Sequence, residues 1–221
     1  GYGYQDNLGF SVSLSSDGNM LAVGAPYNGA GGADAGQARV YEYDGSSWIQ
    51  KGQDIHGLVG DQSGYSVALN FDGTLLAVGS PYNNLNGNNS GIVRFYSFDG
   101  VQWVLFGQDI AGEAAGDQSG HSVSISSDGN TVAIGAKHND GNGNSSGHVR
   151  LYNFDGSNWN QLGQDIDGEV AGDQSGYSVS LSSDGMTVAI GAPYNDGNGT
   201  DAGHVRISNY NGTSWTKLGN D

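Results

Sequence analysis

The sequence predicts an all-β fold, namely a β-propeller of four-stranded antiparallel blades with four blades in this chain. The first observation is a repeat, because Trp48, Trp103, Trp159 and Trp215 are separated by 55, 56 and 56 residues. The second is that each repeat contains four short alternating strings typical of strands, and none with the period of a helix. A strand-only repeat of this length indicates a radially repeating architecture. A β-solenoid is the alternative architecture. It is less favoured because the coils of a solenoid are typically shorter than this 55–56-residue repeat.

The third repeat shows the four strands in order. Residues 120–126 alternate, with Val123 and Ile125 on one face and small serines on the other, which suits an innermost strand. The strings at 131–136, 148–154 and 159–166 predict the second, third and fourth strands. Ser127-Asp128-Gly129-Asn130 and Asp155-Gly156 have the chemistry of tight turns, since Gly and Asn accept positive φ.

The repeat also predicts the domain organisation. We expect one propeller domain over residues 1–221, with blades at about 1–57, 58–113, 114–169 and 170–221. The period leaves three arrangements open. Four blades close alone, or they pair as half of an eight-bladed dimer, or they associate with further propeller repeats in a longer array.

The composition limits the classes of partner and of chemistry that this chain can have. The net charge is −16 and only 14% of residues are charged, which argues against nucleic acid and anionic membranes as partners. No apolar stretch approaches the length needed for membrane insertion. There is no cysteine, so disulfide and thiol chemistry are excluded.

Two short blocks recur in phase in all four repeats. The first copy has Gly9-Phe10-Ser11-Val12 and Val23-Gly24-Ala25-Pro26, and the later copies read GYSV with VGSP, GHSV with IGAK, and GYSV with IGAP. These paired blocks resemble the FG-GAP repeat, whose best-known members are the propellers of integrin α-subunits. The resemblance implies an extracellular, secreted or cell-surface protein. It also implies a non-catalytic role in adhesion or in binding a protein or glycan ligand through loops at one end.

Calcium is the cofactor to consider. Integrin-type repeats often carry a calcium loop between the two blocks, but here that connection is the tight turn Ser16-Asp17-Gly18-Asn19, which has one carboxylate. The longer loop between the second and third strands has alternating oxygen side chains, as calcium loops do, but no distal Glu. We therefore expect at most weak binding, with the candidate ligands Asp140, Asn142, Asn144, Asp196, Asn198 and Asp201.

The residues that break the repeat are candidates for a unique site. Lys137 replaces a recurring proline and His138 replaces the tyrosine of the other three repeats. The candidate ligand-binding residues are Tyr27, Tyr82, Lys137, His138 and Tyr194. A further aromatic position, just before the innermost strand, is expected to approach the axis and comprises Phe10, Tyr65, His121 and Tyr177.

Other recurring residues have structural interpretations. We expect the arginines Arg39, Arg94, Arg150 and Arg206 to make blade-internal ion pairs or stacking contacts, and the tryptophans to anchor the core. Sequons predict glycosylation at Asn88, Asn144, Asn198 and Asn211 if a eukaryotic secretory pathway makes the chain.

Two alternatives to a binding module remain. The Gly143–Gly147 string matches G-x-S-x-G but lies in a polar loop, so we interpret it as a coincidence and expect no enzymatic activity. The alternatives are a structural repeat of a surface filament or matrix, and a glycan-active propeller enzyme. The enzyme would need carboxylates or tyrosines from several blades at one end of the channel.

Overall fold

The structure is a computed structural model that describes residues 6–219. Within these residues the fold is entirely β, with four antiparallel sheets that follow one another along the chain. Each sheet is one blade, and the predicted fold class is confirmed. None of the described residues forms a helix long and apolar enough to cross a membrane.

The strands follow the same order in every blade, from the innermost outwards. The first blade contains β1 (Ser11–Leu14), β2 (Met20–Ala25), β3 (Gln37–Tyr43), β4 (Trp48–Gln50) and β5 (Ile55–His56). The second contains β6 (Ser66–Leu69), β7 (Leu75–Ser80), β8 (Ile92–Phe98), β9 (Trp103–Leu105) and β10 (Ile110–Ala111). The third contains β11 (Ser122–Ile125), β12 (Thr131–Ala136), β13 (His148–Phe154), β14 (Trp159–Gln161) and β15 (Ile166–Asp167). The fourth contains β16 (Ser178–Leu181), β17 (Thr187–Ala192), β18 (His204–Tyr210) and β19 (Trp215–Lys217).

The outermost strand differs from the prediction. The sequence predicts one strand over 159–166, but the structure divides it into β14, which pairs with the end of β13, and β15, which pairs with its start. The reason lies in the residues between them. Gln164 turns away from its own blade, donates from Nε2 to the carbonyl oxygen of Trp215 at 2.9 Å, and accepts from the Trp215 N–H at 3.2 Å. The outer strand is thus interrupted to join the next blade.

The two recurring sequence blocks meet where one blade contacts the next. A Cβ added at Gly79, in the second block, would lie 2.1 Å from the carbonyl oxygen of Gly120, in the first block of the following blade. The same oxygen accepts a hydrogen bond of 2.8 Å from Ser66 Oγ. Gly24 and Gly135 make the equivalent close approaches to the next blade. These glycines recur because the two backbones touch.

The hydrophobic core consists of three layers, each between neighbouring blades. In the first layer, Ala38 and Val40 of the first blade pack against Leu76, Val78 and Trp103 of the second. The other layers repeat this arrangement between the second and third blades and between the third and fourth. We call the face of Val40 and its equivalents the rear face of a blade, and the face with the tryptophan its front face.

The two faces at the ends of this series are uncovered. Val12 on the front face of the first blade is 63% exposed, whereas its equivalent Val67 is 7% exposed. Val205 on the rear face of the fourth blade is 59% exposed, and its equivalent Val149 is 0% exposed. The four blades of the described residues therefore form an open arc.

Candidate ligand-binding site

The two ends of the arc differ in their connections. At one end, which we call the turn end, tight turns such as 15–19 and 44–47 join neighbouring strands. At the other, the loop end, lie the longer loops 27–36, 82–91, 138–147 and 194–203 and the linkers between blades. All the candidate ligand-binding residues lie at the loop end, because each follows the second strand of its blade.

Four aromatic side chains, one from each blade, form a continuous row around the axis at the loop end. Phe10 and Tyr65 have ring centroids 4.8 Å apart, Tyr65 and His121 5.0 Å, and His121 and Tyr177 4.9 Å. Each residue immediately precedes the innermost strand of its blade, so neighbouring blades place them side by side. The structure thus brings together the side chains that the sequence places near the axis.

A second set of tyrosines flanks this row. Tyr27, Tyr82 and Tyr194 meet Phe10, Tyr65 and Tyr177 edge-on, with centroid separations of 6.5, 6.2 and 6.5 Å. We call these two sets together the aromatic arc, and its members are Phe10, Tyr27, Tyr65, Tyr82, His121, Tyr177 and Tyr194. T-shaped and tilted contacts of this kind are the favoured geometries of aromatic pairs.

The third blade breaks the second set with two basic residues. Lys137 Nζ lies 5.2 Å from the ring centroid of Tyr177, a cation–π contact with the next blade. His138 takes the place of the tyrosine, and its Nδ1 lies 3.2 Å from Ser145 Oγ. The predicted special blade therefore presents a different chemical surface to a ligand.

Burial shifts the pKa values of three members of the aromatic arc, Tyr65, Tyr82 and His121. It raises the pKa of Tyr65 to about 12 and that of Tyr82 above its usual value. Burial, with the Lys137 charge second, lowers the pKa of His121 to about 4, and His121 Nδ1 donates to the Tyr177 carbonyl oxygen at 3.2 Å. At neutral pH Tyr65 and His121 are therefore uncharged, and burial also lowers the pKa of the neighbouring Lys137.

The candidate calcium ligands mostly bind their own loops. Asp140 Oδ1 accepts the Ser145 N–H at 2.7 Å, and Asp196 Oδ1 accepts the Asp201 N–H at 2.8 Å. Asn142 Nδ2 donates to the carbonyl oxygens of Gly168 and Glu169, both at 2.9 Å. Asn144 and Asn198 are exposed. Calcium binding at these loops stays a prediction.

One cleft places two further carboxylates, Glu169 and Asp173, beside these candidate calcium ligands. Asp196 and Asn198 line a cleft of about 560 Å³ together with Glu169 and Asp173 from the preceding linker. No sequence pattern joins Glu169 to this loop, because the two segments are far apart within the repeat. The blade geometry brings them together.

A separate acid–histidine group lies in the third blade. His148 Nδ1 is buried without a hydrogen-bond partner, 3.7 Å from Asp165 Oδ2 and 3.9 Å from Glu113 Oε2. Among the described residues, these three could hold a metal ion. The Arg150 guanidinium opposes this, since it lies 3.2 Å from Glu113 Oε1. Burial, with Arg150 second, lowers the pKa of His148 to about 4, so the imidazole is neutral at pH 7.

This group exists because the arginine pairing changes along the chain. Arg39 and Arg94 pair with Asp54 and Asp109 of their own blades, at 2.7 and 3.0 Å, as predicted. Arg150 turns instead to Glu113 of the preceding linker, and Arg206 approaches Glu169 in the same way at 3.6 Å. The predicted blade-internal ion pair thus forms at Arg39 and Arg94. Arg150 instead makes the predicted stacking contact within its blade, 5.7 Å from the ring centroid of Tyr152. Asp221, the equivalent partner in the fourth blade, lies outside the described residues, so the ion pair of Arg206 stays a prediction.

Buried pairs that the sequence did not reveal hold the loops in place. Asn83 Nδ2 donates to Asp61 Oδ1 at 2.9 Å, and Asn139 and Asn195 contact Asp117 and Asp173 in the same way. Each pair joins a long loop to the linker that leads into its blade. The regular recurrence of Asn and Asp at these positions is the signal that could have found them.

The tryptophans and sequons complete the predicted set. Trp103, Trp159 and Trp215 are buried core anchors as predicted, but Trp48 is exposed because no blade precedes it in the described residues. The four sequon asparagines Asn88, Asn144, Asn198 and Asn211 are all exposed. Their glycosylation stays a prediction.

Comparison with known proteins identifies the class, an FG-GAP-type β-propeller. The model of the FG-GAP repeat matches residues 99–152 and 166–207, in phase with the second to fourth blades. These two segments of the chain carry FG-GAP repeats. The curated proteins contain no match.

Solved structures share the fold at low sequence identity. Hydrazine synthase of Kuenenia stuttgartiensis is 16% identical with a TM-score of 0.59, and the match covers 95% of this chain and 48% of that one. A putative 6-phosphogluconolactonase from Bacteroides uniformis is 12% identical with a TM-score of 0.54, and the match covers 96% and 71% of the two chains. This chain thus spans about half the length of the hydrazine synthase chain. At these identities the likeness concerns the fold alone.

Proposed function

We propose that this chain is a non-catalytic extracellular binding module, and that it recognises a glycan through the aromatic arc at the loop end. The observation that carries this proposal is the row of Phe10, Tyr65, His121 and Tyr177, with centroid spacings of 4.8, 5.0 and 4.9 Å. Phe10 and Tyr177 at the two ends of this row are exposed and offer apolar faces on which the C–H faces of sugars pack, whereas His121 between them is buried and supports its neighbours. The setting outside the cell rests on the family resemblance.

The exposure of the rings supports this ligand. Phe10, Tyr27, Tyr177 and Tyr194 are 47%, 37%, 40% and 43% exposed, although they are large aromatic side chains. Tyrosine combines an apolar ring with a hydroxyl that donates and accepts hydrogen bonds, which matches the alternation of C–H and O–H groups on a sugar. The neighbouring Asn, Asp and Ser side chains of the long loops add further polar partners.

The charge of the molecule favours a neutral ligand over a polyanion. The net charge is −16, so nucleic acid and anionic lipid surfaces are repelled. Lys137 adds one cation beside Tyr177, which would suit a sugar with a single carboxylate as well as a neutral one. A protein ligand for the same surface is the other outcome of the test.

The proposal is tested with the full chain on a glycan array, followed by calorimetric titration of the strongest ligand. Tyr177→Ala and Tyr194→Ala should each weaken binding by roughly tenfold, equal to about 1.4 kcal/mol. Phe71→Ala is the matched control, because Phe71 is 58% exposed but lies at the turn end. Unchanged affinity in both tyrosine variants, or equal losses in all three, would reject the aromatic arc as the site.

A hydrolytic enzyme is the second candidate, favoured by one observation. Ser145 Oγ lies 3.2 Å from His138 Nδ1, which is a nucleophile–base distance, and Ser145 is the central residue of the G-x-S-x-G string. Its φ of +51° does not distinguish it, because Asn89 and Asp201 have similar angles at the same repeat position. A fluorophosphonate probe that labels the chain, but not Ser145→Ala, would favour catalysis over binding alone.

A further inference from the structure

The chain shows the same blade-to-blade interface three times. In each case the rear face of one blade packs on the front face of the next, and the tryptophan of the front face is buried, with Trp103, Trp159 and Trp215 at 3%, 4% and 5% exposure. Trp48 occupies the same position on the first blade but is 42% exposed. Among residues 6–219, the front face of the first blade is therefore one half of this interface with no blade packed against it.

The rear face of the fourth blade is the other half. Val205 and Ile207 are 59% and 42% exposed, whereas their equivalents Val149 and Leu151 are fully buried. The glycine that receives the next blade is also in place. A Cβ at Gly191 would meet only Ser178, whereas the equivalent Gly135 meets the backbone of the following blade.

We propose that these two end faces bind each other between copies of this chain, head to tail. The rear face of the fourth blade of one copy takes the front face of the first blade of a second copy, in the geometry of the three internal interfaces. The second copy offers Gly9, the equivalent of Gly64 and Gly120, which has a φ of +96° and no atom within 4 Å of a Cβ built on it. A second copy of this chain fits each end face, because each end face repeats the residues of an interface already formed within the chain.

The energetic reason is the apolar surface left in water. Burying apolar side chains stabilises an interface, and Val12, Leu14, Val205 and Ile207 are all more than 40% exposed. Front and rear faces differ, so the contact is heterologous and leads to a ring if the rotation closes or to a filament if it does not. Either product is built by the same interface.

The first test is the mass of the full chain in solution, measured by light scattering over a range of concentrations. We expect particles of at least twice the 22.8 kDa chain mass. Val12→Glu with Trp48→Glu blocks the front face, and Val205→Glu with Ile207→Glu blocks the rear face. Each double variant alone should have the mass of one chain, and an equimolar mixture should give a one-to-one dimer through the remaining intact pair.

Two controls keep the result specific. Val101→Glu changes a side chain that is 80% exposed in a turn between strands, and it should not alter the association. Far-ultraviolet circular dichroism of the blocked variants checks that they fold, and the single variants Val12→Glu and Val205→Glu replace them if they do not. A wild-type chain that is monomeric at every concentration would overturn the proposal. So would a rear-blocked variant that still dimerises, because its contact would then join two front faces.

Discussion

The loop end and the turn end of the molecule are built by opposite rules. At the turn end the same small hydrogen-bond pattern recurs, in which Asp44 accepts the N–H groups of Ser46 and Ser47, and Asp155 accepts those of Ser157 and Asn158. At the loop end the third blade replaces proline and tyrosine with Lys137 and His138. The comparison indicates that the turn end repeats one pattern, whereas at the loop end the third blade changes two positions of an aromatic surface that otherwise repeats.

The largest expected effect is on stability. It concerns the close backbone contact between neighbouring blades, which positions the loop end. Gly135→Ala places a Cβ about 2.1 Å from the Gly176 carbonyl oxygen, a backbone atom that cannot move alone. We expect the free energy of unfolding in urea to fall by roughly 2–3 kcal/mol. Gly191→Ala, with both glycine variants made in the Val12→Glu/Trp48→Glu background that leaves the rear face of the fourth blade uncovered, is the matched control. Its Cβ meets only Ser178 of its own blade, so the variant should cost less than about 1 kcal/mol. Equal losses would contradict the role assigned to the blade contact.

The second prediction is that the two ends contribute to the pH dependence of stability in different pH ranges, starting with His121 at the loop end. Burial lowers the pKa of His121 to about 4, while the unfolded chain has the ordinary value of 6.5. Between these values the unfolded state binds more protons than the folded state, so stability is complete above pH 6.5 and falls as the pH drops towards 4. The loss for this residue is up to about 3 kcal/mol. His121→Tyr, which restores the residue of the second and fourth repeats, should remove that part of the loss and leave the part due to His148, whose pKa is also lowered to about 4.

The aspartates of the turn end should respond in a different window. Hydrogen bonds from Ser47 and Ser46 lower the pKa of Asp44 below its ordinary value of 3.8. The stability that this charge provides is therefore present above pH 3.8 and is lost only at more acid pH. Asp44→Asn keeps the turn, because Asn211 accepts the same N–H bonds in the fourth blade. The urea midpoint of Asp44→Asn should therefore lie slightly below that of the wild type above pH 5, and the two should converge as the pH falls below 3.8. Midpoints that are identical at every pH, or that differ most below pH 3.8, would contradict this separation.

The smallest expected effect concerns calcium at the loop end. Any site in the loops should be weak, with a dissociation constant of roughly 10⁻⁴–10⁻³ M, because few carboxylates converge there. Millimolar calcium should then raise the melting temperature by a few degrees, since it binds the folded state alone. Asp140→Ala with Asp196→Ala should abolish the rise. Identical melting curves in calcium and in chelator would remove the metal from the loop end.

The sequence predicted the regular parts of the fold because they depend on local pattern. The second and third strands of the third blade, Thr131–Ala136 and His148–Phe154, begin and end where alternation and turn residues place them. The break in the outer strand was missed because its cause is a contact with the next blade, between Gln164 and Trp215. No periodicity within one repeat contains that information.

The candidate site was predictable in part for the same reason. Phe10, Tyr65, His121 and Tyr177 share one repeat position next to the innermost strand, so radial repetition alone brings them together. Glu169 and Asp196 line one cleft only because a linker and a loop of different blades lie side by side. The exposure of Trp48 could not be predicted from the sequence either. The equivalent tryptophan is buried in each of the other three blades, where another blade precedes it.

The nearest-neighbour stacking of the blades has a consequence for how the molecule opens. The three core layers each join only consecutive blades, so stability is close to a sum of blade terms and interface terms, as in linear repeat proteins. The second and third blades have two interfaces each, and the first and fourth have one. Amide protons of β7 and β12 should therefore exchange more slowly than those of β2 and β17, and unfolding should advance inwards from both ends. A partner that covers an end face would slow exchange in the blade it touches and leave the opposite blade unchanged.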